Sequence, residues 1–193
     1  VDRRWCLIHA THINAMETER LAKSGAVAGL CPVTEANLGD GVFPTPDYLA
    51  AGGAFGLGTD SNILIDAAEE VRALEYAQRL TRRARNVLAG GPRRSTGGEL
   101  WRGACAGGAQ ALGAGRGGLK RGAAADFITL DAEHPALIGR EGDALIDSLV
   151  FAGRHGAIDT VWRQGKQVVE GGRHHARDAV AARYRQTLKA LLA

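Results

Sequence analysis

The sequence runs to 193 residues, with 24 Lys and Arg against 21 Asp and Glu for a formal net charge of +3, and it is 45% hydrophobic. That length supports one good-sized domain with its own core. No apolar stretch approaches the roughly 20 residues of a membrane span, no charged-then-apolar leader pattern is visible, and three scattered cysteines (Cys6, Cys31 and Cys105), none in a CxxC, exclude a disulfide framework. Reduced core cysteines in a cytoplasmic protein are the expectation. The opening VDRRWCLIH lacks an initiator Met, which fits a processed chain or a fragment.

In chain order, WCLIHA is a buried-strand run ending at His9. NAMETERLAKSG reads as a helix: Asn14 caps it, Glu17 sits three residues on as in a capping box, and Gly25 stops it. AVAGLCP is a second strand closed by Pro32. TEANLGDGVFPTP follows as a loop, DYLAAGG as about two turns of helix, and AFGLGTD as a third strand. Three nearly continuous apolar strands separated by helices predict a parallel sheet buried on both faces, hence an α/β fold from an open sheet or a (β/α) barrel.

A long helix is expected from Asp66 to about Leu88, with Val71, Leu74, Leu80 and Leu88 on its apolar side and arginines opposite. GGPRRSTGGE reads as a loop and LWRGACAGGAQALG as a small-residue helix. Beyond about Gly115 the character turns β-rich. GLKRGAAADFITLD leads into a strand, and DALIDSLVFAG is ambiguous between helix and strand. TVWR and KQVVE flank a Gln-Gly turn as a hairpin, and RDAVAARYRQTLKALLA is an amphipathic closing helix. Residues 1–114 and 115–193 are therefore expected as two domains. The arginines of QRLTRRARNVLAGGPRRS (Arg79, Arg82, Arg83, Arg85, Arg93, Arg94) have no interleaved aromatic residues for stacking bases. A solvated helix face running into a loop is expected there, not a nucleic-acid surface.

In a parallel α/β sheet, chemistry sits at the carboxyl ends of the strands. His9 and Asp60 follow the first and third strands, and Glu35 and Asp40 lie in the loop after the second. Consecutive strands would point His9 and Asp60 into one mouth, where an imidazole facing a carboxylate can bind a metal or relay a proton; a hydrogen-bonded structural His is the plainer alternative. His12, His134, His155, His174 and His175 lie in helix approaches or polar, Gly-rich surroundings. No GxGxxG follows a predicted strand, and no P-loop, GxSxG or HExxH is present.

The segments IHATH, CPVTEANLGDGVFP, GTDSN, EEVRALEYAQRL, GGAQALG, GLKRGAAADFITLD and DTVWRQGKQVVEGGRH resemble, in content and order, the amidohydrolase superfamily. More narrowly they are similar to the formimidoylglutamate deiminase family of bacterial histidine degradation. The resemblance implies that this chain is the C-terminal half of such an enzyme. It would hold strands six to eight of a distorted (β/α)8 barrel, the C-terminal share of a small β-sandwich, and a closing helix. It further implies one zinc bound by Asp60, with Asp60 taking a proton from an activated water and His9 stabilising and protonating around the attacked carbon. The substrate would be a small molecule, N-formimino-L-glutamate, hydrolysed to N-formyl-L-glutamate and ammonia. A homodimer is implied, with no nucleic acid or membrane partner.

The sequence also departs from that pattern. The family's HxH pair, its strand-five histidine and its general-acid glutamate have no counterpart here, and no HxH occurs in the chain. A catalytic zinc takes about three protein ligands plus water, so the missing half is expected in cis, from a second chain or from a swapped partner. Asn62 stands where a histidine is common among relatives. Glu35 is a candidate for substrate contact or a stand-in general acid, with a loop-ordering role as the plainer alternative. Two other readings stand beside the deiminase: a superfamily deaminase or chlorohydrolase acting on a guanine-like or triazine-like ring, and a catalytically inactive remnant.

Overall fold

The computed structural model describes residues 1–61, 64–91, 94–114, 118–153 and 156–193. Asn62, Arg93 and His155, each weighed above, lie outside the described residues. The chain forms two units, Val1–Gly117 with Gly139–Gly153, and Gly118–Ile138 with Arg154–Ala193.

In the first unit, β1 (Cys6–Ile8), β2 (Val27–Leu30) and β3 (Ala54–Leu57) form a parallel sheet in the order β1-β2-β3. Cys6 pairs with Val27, and Val27 with Ala54, so the carboxyl ends of all three strands lie at one edge. Every residue of β2 is buried, as a central strand covered on both faces requires. Helix α1 (Ala15–Ser24) connects β1 to β2. It begins in the expected capping box, with Asn14 and Glu17 each accepting the other's backbone N–H, and ends at Gly25 with φ 75°.

The segment expected as a loop after β2 opens instead as α2 (Pro32–Leu38). Pro32 at the first turn and Gly39 in the left-handed region are the start and stop signals of a short helix. Helix α3 (Thr45–Ala50) follows. Its Tyr48 hydroxyl lies 3.0 Å from the carbonyl oxygens of both Ala26 and Ala54, tying together the amino ends of β2 and β3. A Cβ on Gly53 would fall 2.4 Å from the Tyr48 ring, so this seat requires glycine.

Helix α4 (Ala67–Arg82) is capped by Asp66, which accepts from Ala68 and Glu69 N–H. It stops six residues short of Leu88, where Arg83 turns left-handed at φ 52°. Val71 and Leu74 are buried as expected, but Leu80 is 81% exposed, and Leu88 is buried from the loop rather than from the helix. Buried Glu75 holds that loop, accepting from Val87 and Leu88 N–H at 2.9 and 3.0 Å and from Arg79 Nε at 2.6 Å. Helix α5 (Thr96–Ala111) starts earlier than expected because Ser95 caps Gly98 N–H, drawing the glycines of the expected loop into its first turn. It rests directly on β3: a Cβ on Gly107 would stand 1.9 Å from the Phe55 carbonyl oxygen. The ambiguous DALIDSLVFAG segment is helix α6 (Gly142–Phe151), which buries Leu149 and Val150. Leu30, Phe43, Tyr48, Phe55, Val71, Leu74, Leu100 and Val150 are part of the core.

The second unit holds β4 (Phe127–Leu130), β5 (Ile158–Arg163), β6 (Lys166–Glu170) and β7 (Arg173–His174) in one antiparallel sheet in that order, followed by α7 (Arg177–Leu192). The β5–β6 hairpin turns at Gln164 and Gly165, with φ 50° and 75°, two positive values as a tight primed turn demands. No residue of α7 is buried. Cys105 is exposed, against the expectation of a core residue, and all three cysteines are free. Arg79 pairs with Glu75, Arg82 with Asp47, and Arg94 with Glu99, so this part of the basic stretch is matched by carboxylates. Among the described residues no helix is long and apolar enough to cross a membrane.

Candidate active site

Parallel register places the residues just past β1, β2 and β3 side by side. The ladder continues one step beyond each strand, through His9 N–H to Gly29 C=O at 2.8 Å and Gly58 N–H to Leu30 C=O at 3.0 Å. His9, Cys31 and Asp60 emerge there. Among the described residues they form a group whose imidazole, thiol and carboxylate donor atoms all lie within 4.8 Å of one another. The two residues singled out from the sequence are thus brought together: His9 Nε2 lies 3.6 Å from Asp60 Oδ2. That is too long for a direct hydrogen bond, yet it leaves both groups facing the same small volume.

Both residues have unusual backbones. His9 has φ 65° and Asp60 φ 51°, and a non-glycine residue in this region costs on the order of 1–3 kcal/mol. At His9 the strain is local and well defined. Ala10 N–H bonds Ile8 C=O at 2.9 Å across His9, closing the rare, strained sense of γ-turn. Left-handed backbones of this kind cluster where a side chain must be aimed.

Glu35 follows from α2. As the fourth residue of that helix it reaches back to its N-terminus, and Oε1 accepts Cys31 N–H at 2.9 Å, satisfying an amide that the helix itself leaves unpaired. The same Oε1 lies 3.2 Å from His9 Nδ1. Glu35 is 5% exposed, so it is a buried carboxylate joined to both neighbouring strand ends. Thr11 Oγ donates to Asp40 C=O at 2.6 Å, pinning the loop after β1 a second time. Ser61 Oγ lies 3.3 Å from Asp60 Oδ1.

Cys31 was not among the sequence candidates for the site. Its place could have been read from its position directly after a buried strand, as for His9 and Asp60. Burial, and then the negative charges of Glu35, Asp60 and Glu70, push its thiol up to about 11, so it is a neutral thiol at ordinary pH. The remaining described histidines stay apart. His12 is exposed; His134 and His174 accept from Ala136 and Ala176 N–H in local turns; and His175 is exposed.

The donor types fit a divalent transition metal such as zinc, which takes imidazole nitrogen, carboxylate oxygen and thiolate sulfur. The described residues supply at most three such donors, one of them a protonated thiol.

A model of the amidohydrolase family matches residues 2–168. The chain is 48% identical over 192 residues to formimidoylglutamate deiminase of Pseudomonas aeruginosa, covering 100% of this chain and 42% of that protein. Among solved structures it is similar to an amidohydrolase from Brucella melitensis, with TM-score 0.94 and 53% identity over 100% of this chain and 42% of that one. It also shares its fold with a zinc-bound adenosine deaminase from Xanthomonas campestris, with TM-score 0.83 and 23% identity over 96% of this chain and 42% of that one. The chain therefore spans less than half the length of these relatives.

Proposed function

The chain belongs to the amidohydrolase family, and from that premise we propose that it is the carboxyl-terminal share of a zinc-dependent deiminase that hydrolyses N-formimino-L-glutamate to N-formyl-L-glutamate and ammonia. The observation that supports this most is the pairing of His9 and Asp60, 3.6 Å apart past adjacent strands of a parallel sheet. The 48% identity to a formimidoylglutamate deiminase along the whole chain supports the choice of substrate. In this reading β1, β2 and β3 are barrel strands six, seven and eight within residues 1–114. Residues 115–193 hold the sandwich portion (the β4–β7 sheet) and the closing helix. The rest of the barrel, with the remaining metal ligands, comes from the missing part in cis or from another chain, and the assembly is a cytoplasmic homodimer.

Asp60 is the residue that would hold the zinc. When bound, the metal supplies a water whose pKa is lowered to about 7. Asp60 then accepts the proton released as the formimino carbon is attacked. His9 Nε2, beside Asp60, would take up that proton, hydrogen-bond the developing charge at the attacked carbon and pass the proton on to the leaving nitrogen, which departs as ammonia. Cys31 remains a neutral thiol at the floor of the site. The test is turnover by the protein completed with the amino-terminal part its relatives carry. N-formimino-L-glutamate should be hydrolysed and guanine should not; hydrolysis of guanine alone would replace this reading with that of a ring deaminase.

A further inference from the structure

We infer that Glu35 is a positioning residue that fixes His9 as the Nδ1–H tautomer and holds its strained turn, so that Nε2 is the nitrogen offered to the reacting atoms. One oxygen of Glu35 is already occupied. Glu35 Oε1 accepts the Cys31 amide at 2.9 Å, and an amide N–H cannot accept. As a carboxylate, Glu35 can only accept. The His9 Nδ1 that lies 3.2 Å from that oxygen must then be the donor. With the proton on Nδ1, neutral His9 carries its lone pair on Nε2, which faces Asp60.

The competing arrangement would place the proton on Nε2 for Asp60. That contact is longer, at 3.6 Å, and the Asp60 side chain is 36% exposed against 7% for Glu35. The shorter, buried hydrogen bond wins, because its electrostatic strength is less diluted by water. The bond also has a mechanical task. The His9 backbone sits at φ 65°, and such a conformation persists only when its surroundings over-determine it. Four constraints meet there: His9 N–H to Gly29, Ala10 N–H to Ile8, Thr11 to Asp40 and the imidazole to Glu35. Glu35 is the only one of the four that reaches the ring. A carboxylate bonded to the far nitrogen of a working histidine commonly sets its tautomer and orientation, and losing it costs about 10–100-fold in activity or metal affinity.

The catalytic meaning of this inference rests on the deiminase reading; the tautomer does not. The test is nitrogen-15 NMR of the full, metal-free chain labelled at histidine, with the His9 signals assigned by their loss in His9→Gln. The expected result is a pyrrole-like Nδ1 and a pyridine-like Nε2 in neutral His9. Glu35→Gln, whose side-chain oxygen can still accept from both donors, should keep this pattern. Glu35→Ala should lose it. An Nε2–H tautomer in the wild type overturns the inference, and so does a pattern unchanged in Glu35→Ala. Should Glu35→Ala fail to fold, the wild-type tautomer decides alone.

In the completed enzyme, Glu35→Ala should lower kcat by about 10–100-fold with KM little changed, and Glu35→Gln should restore most of it. A protein that holds the Nδ1–H tautomer but hydrolyses no formimino substrate keeps this inference and loses the deiminase reading. An active enzyme with Nε2–H does the reverse.

Discussion

Replacing Gly107 by Ala adds a single methyl group at the closest approach of helix and sheet, and the structure allows its cost to be separated from helix propensity. The new Cβ would stand 1.9 Å from the Phe55 carbonyl oxygen, 2.5 Å from its carbonyl carbon and 3.1 Å from its nitrogen. These are strand backbone atoms, so no rotamer change relieves the overlap; α5 must lift off β3. The next residue provides the control, because a Cβ on Gly108 meets nothing within 4 Å. Both changes gain about the same helix propensity, up to roughly 1 kcal/mol, which cancels in the comparison. What remains is overpacking, typically about 1–3 kcal/mol, and a backbone clash belongs at the upper end. We expect Gly107→Ala to be less stable than Gly108→Ala by about 3 kcal/mol, roughly a hundred-fold in the folding constant. Urea unfolding followed by circular dichroism measures both midpoints and slopes. Equal midpoints would refute the view that α5 seats on β3 through this glycine.

Glu75→Leu should destabilise by about 3 kcal/mol, since it strands a buried amide (Leu88), a half-buried one (Val87) and the Arg79 guanidinium, whereas Glu75→Gln should recover part of that; the same unfolding assay reads both. Arg102 bridges α5 to α6 through Asp143 and also meets Glu99, and these contacts lower the pKa of both carboxyls. Carboxyls lowered in the folded state contribute stability that is complete above their unfolded values, near 3.8 and 4.5, and lost as pH falls through the folded ones. The stability difference between wild type and Arg102→Gln should therefore be small, as for exposed pairs, be present at pH 6, and vanish in acid. In the completed enzyme His9→Gln should cut kcat by about 10²–10⁴-fold while zinc content, read by atomic absorption, stays at the wild-type level, because His9 is assigned to the reacting atoms and not to the metal.

The parts of this molecule that announced themselves in sequence are those governed by near neighbours. The Asn14–Glu17 capping box, the Gly25 stop, the three apolar strands and the Gln164–Gly165 turn all depend on residues within a few positions of one another, and each forms where the sequence predicts it. Helix α2 is hard to read from pattern because its seven residues show little periodicity, although Pro32, Glu35 and Gly39 are start and stop signals. Leu88 fits the periodicity of α4 and so extends the expected helix, whereas it is buried by a loop that Glu75 gathers in from thirteen residues away. The positions of His9 and Asp60 at strand ends were legible from pattern. Their meeting with Cys31 and Glu35 was not, because it depends on strand register and on a hydrogen bond spanning 26 residues.

Asp60 is proposed as a working ligand and proton acceptor in a deiminase site of which this chain is one share. The measurement that tests it most directly is zinc content and ammonia release from N-formimino-L-glutamate by the chain completed with the amino-terminal part of its relatives, wild type against Asp60→Asn. The account predicts about one zinc per site and steady turnover in the wild type, with both falling sharply in Asp60→Asn. An Asp60→Asn protein that keeps its zinc and its turnover would contradict it.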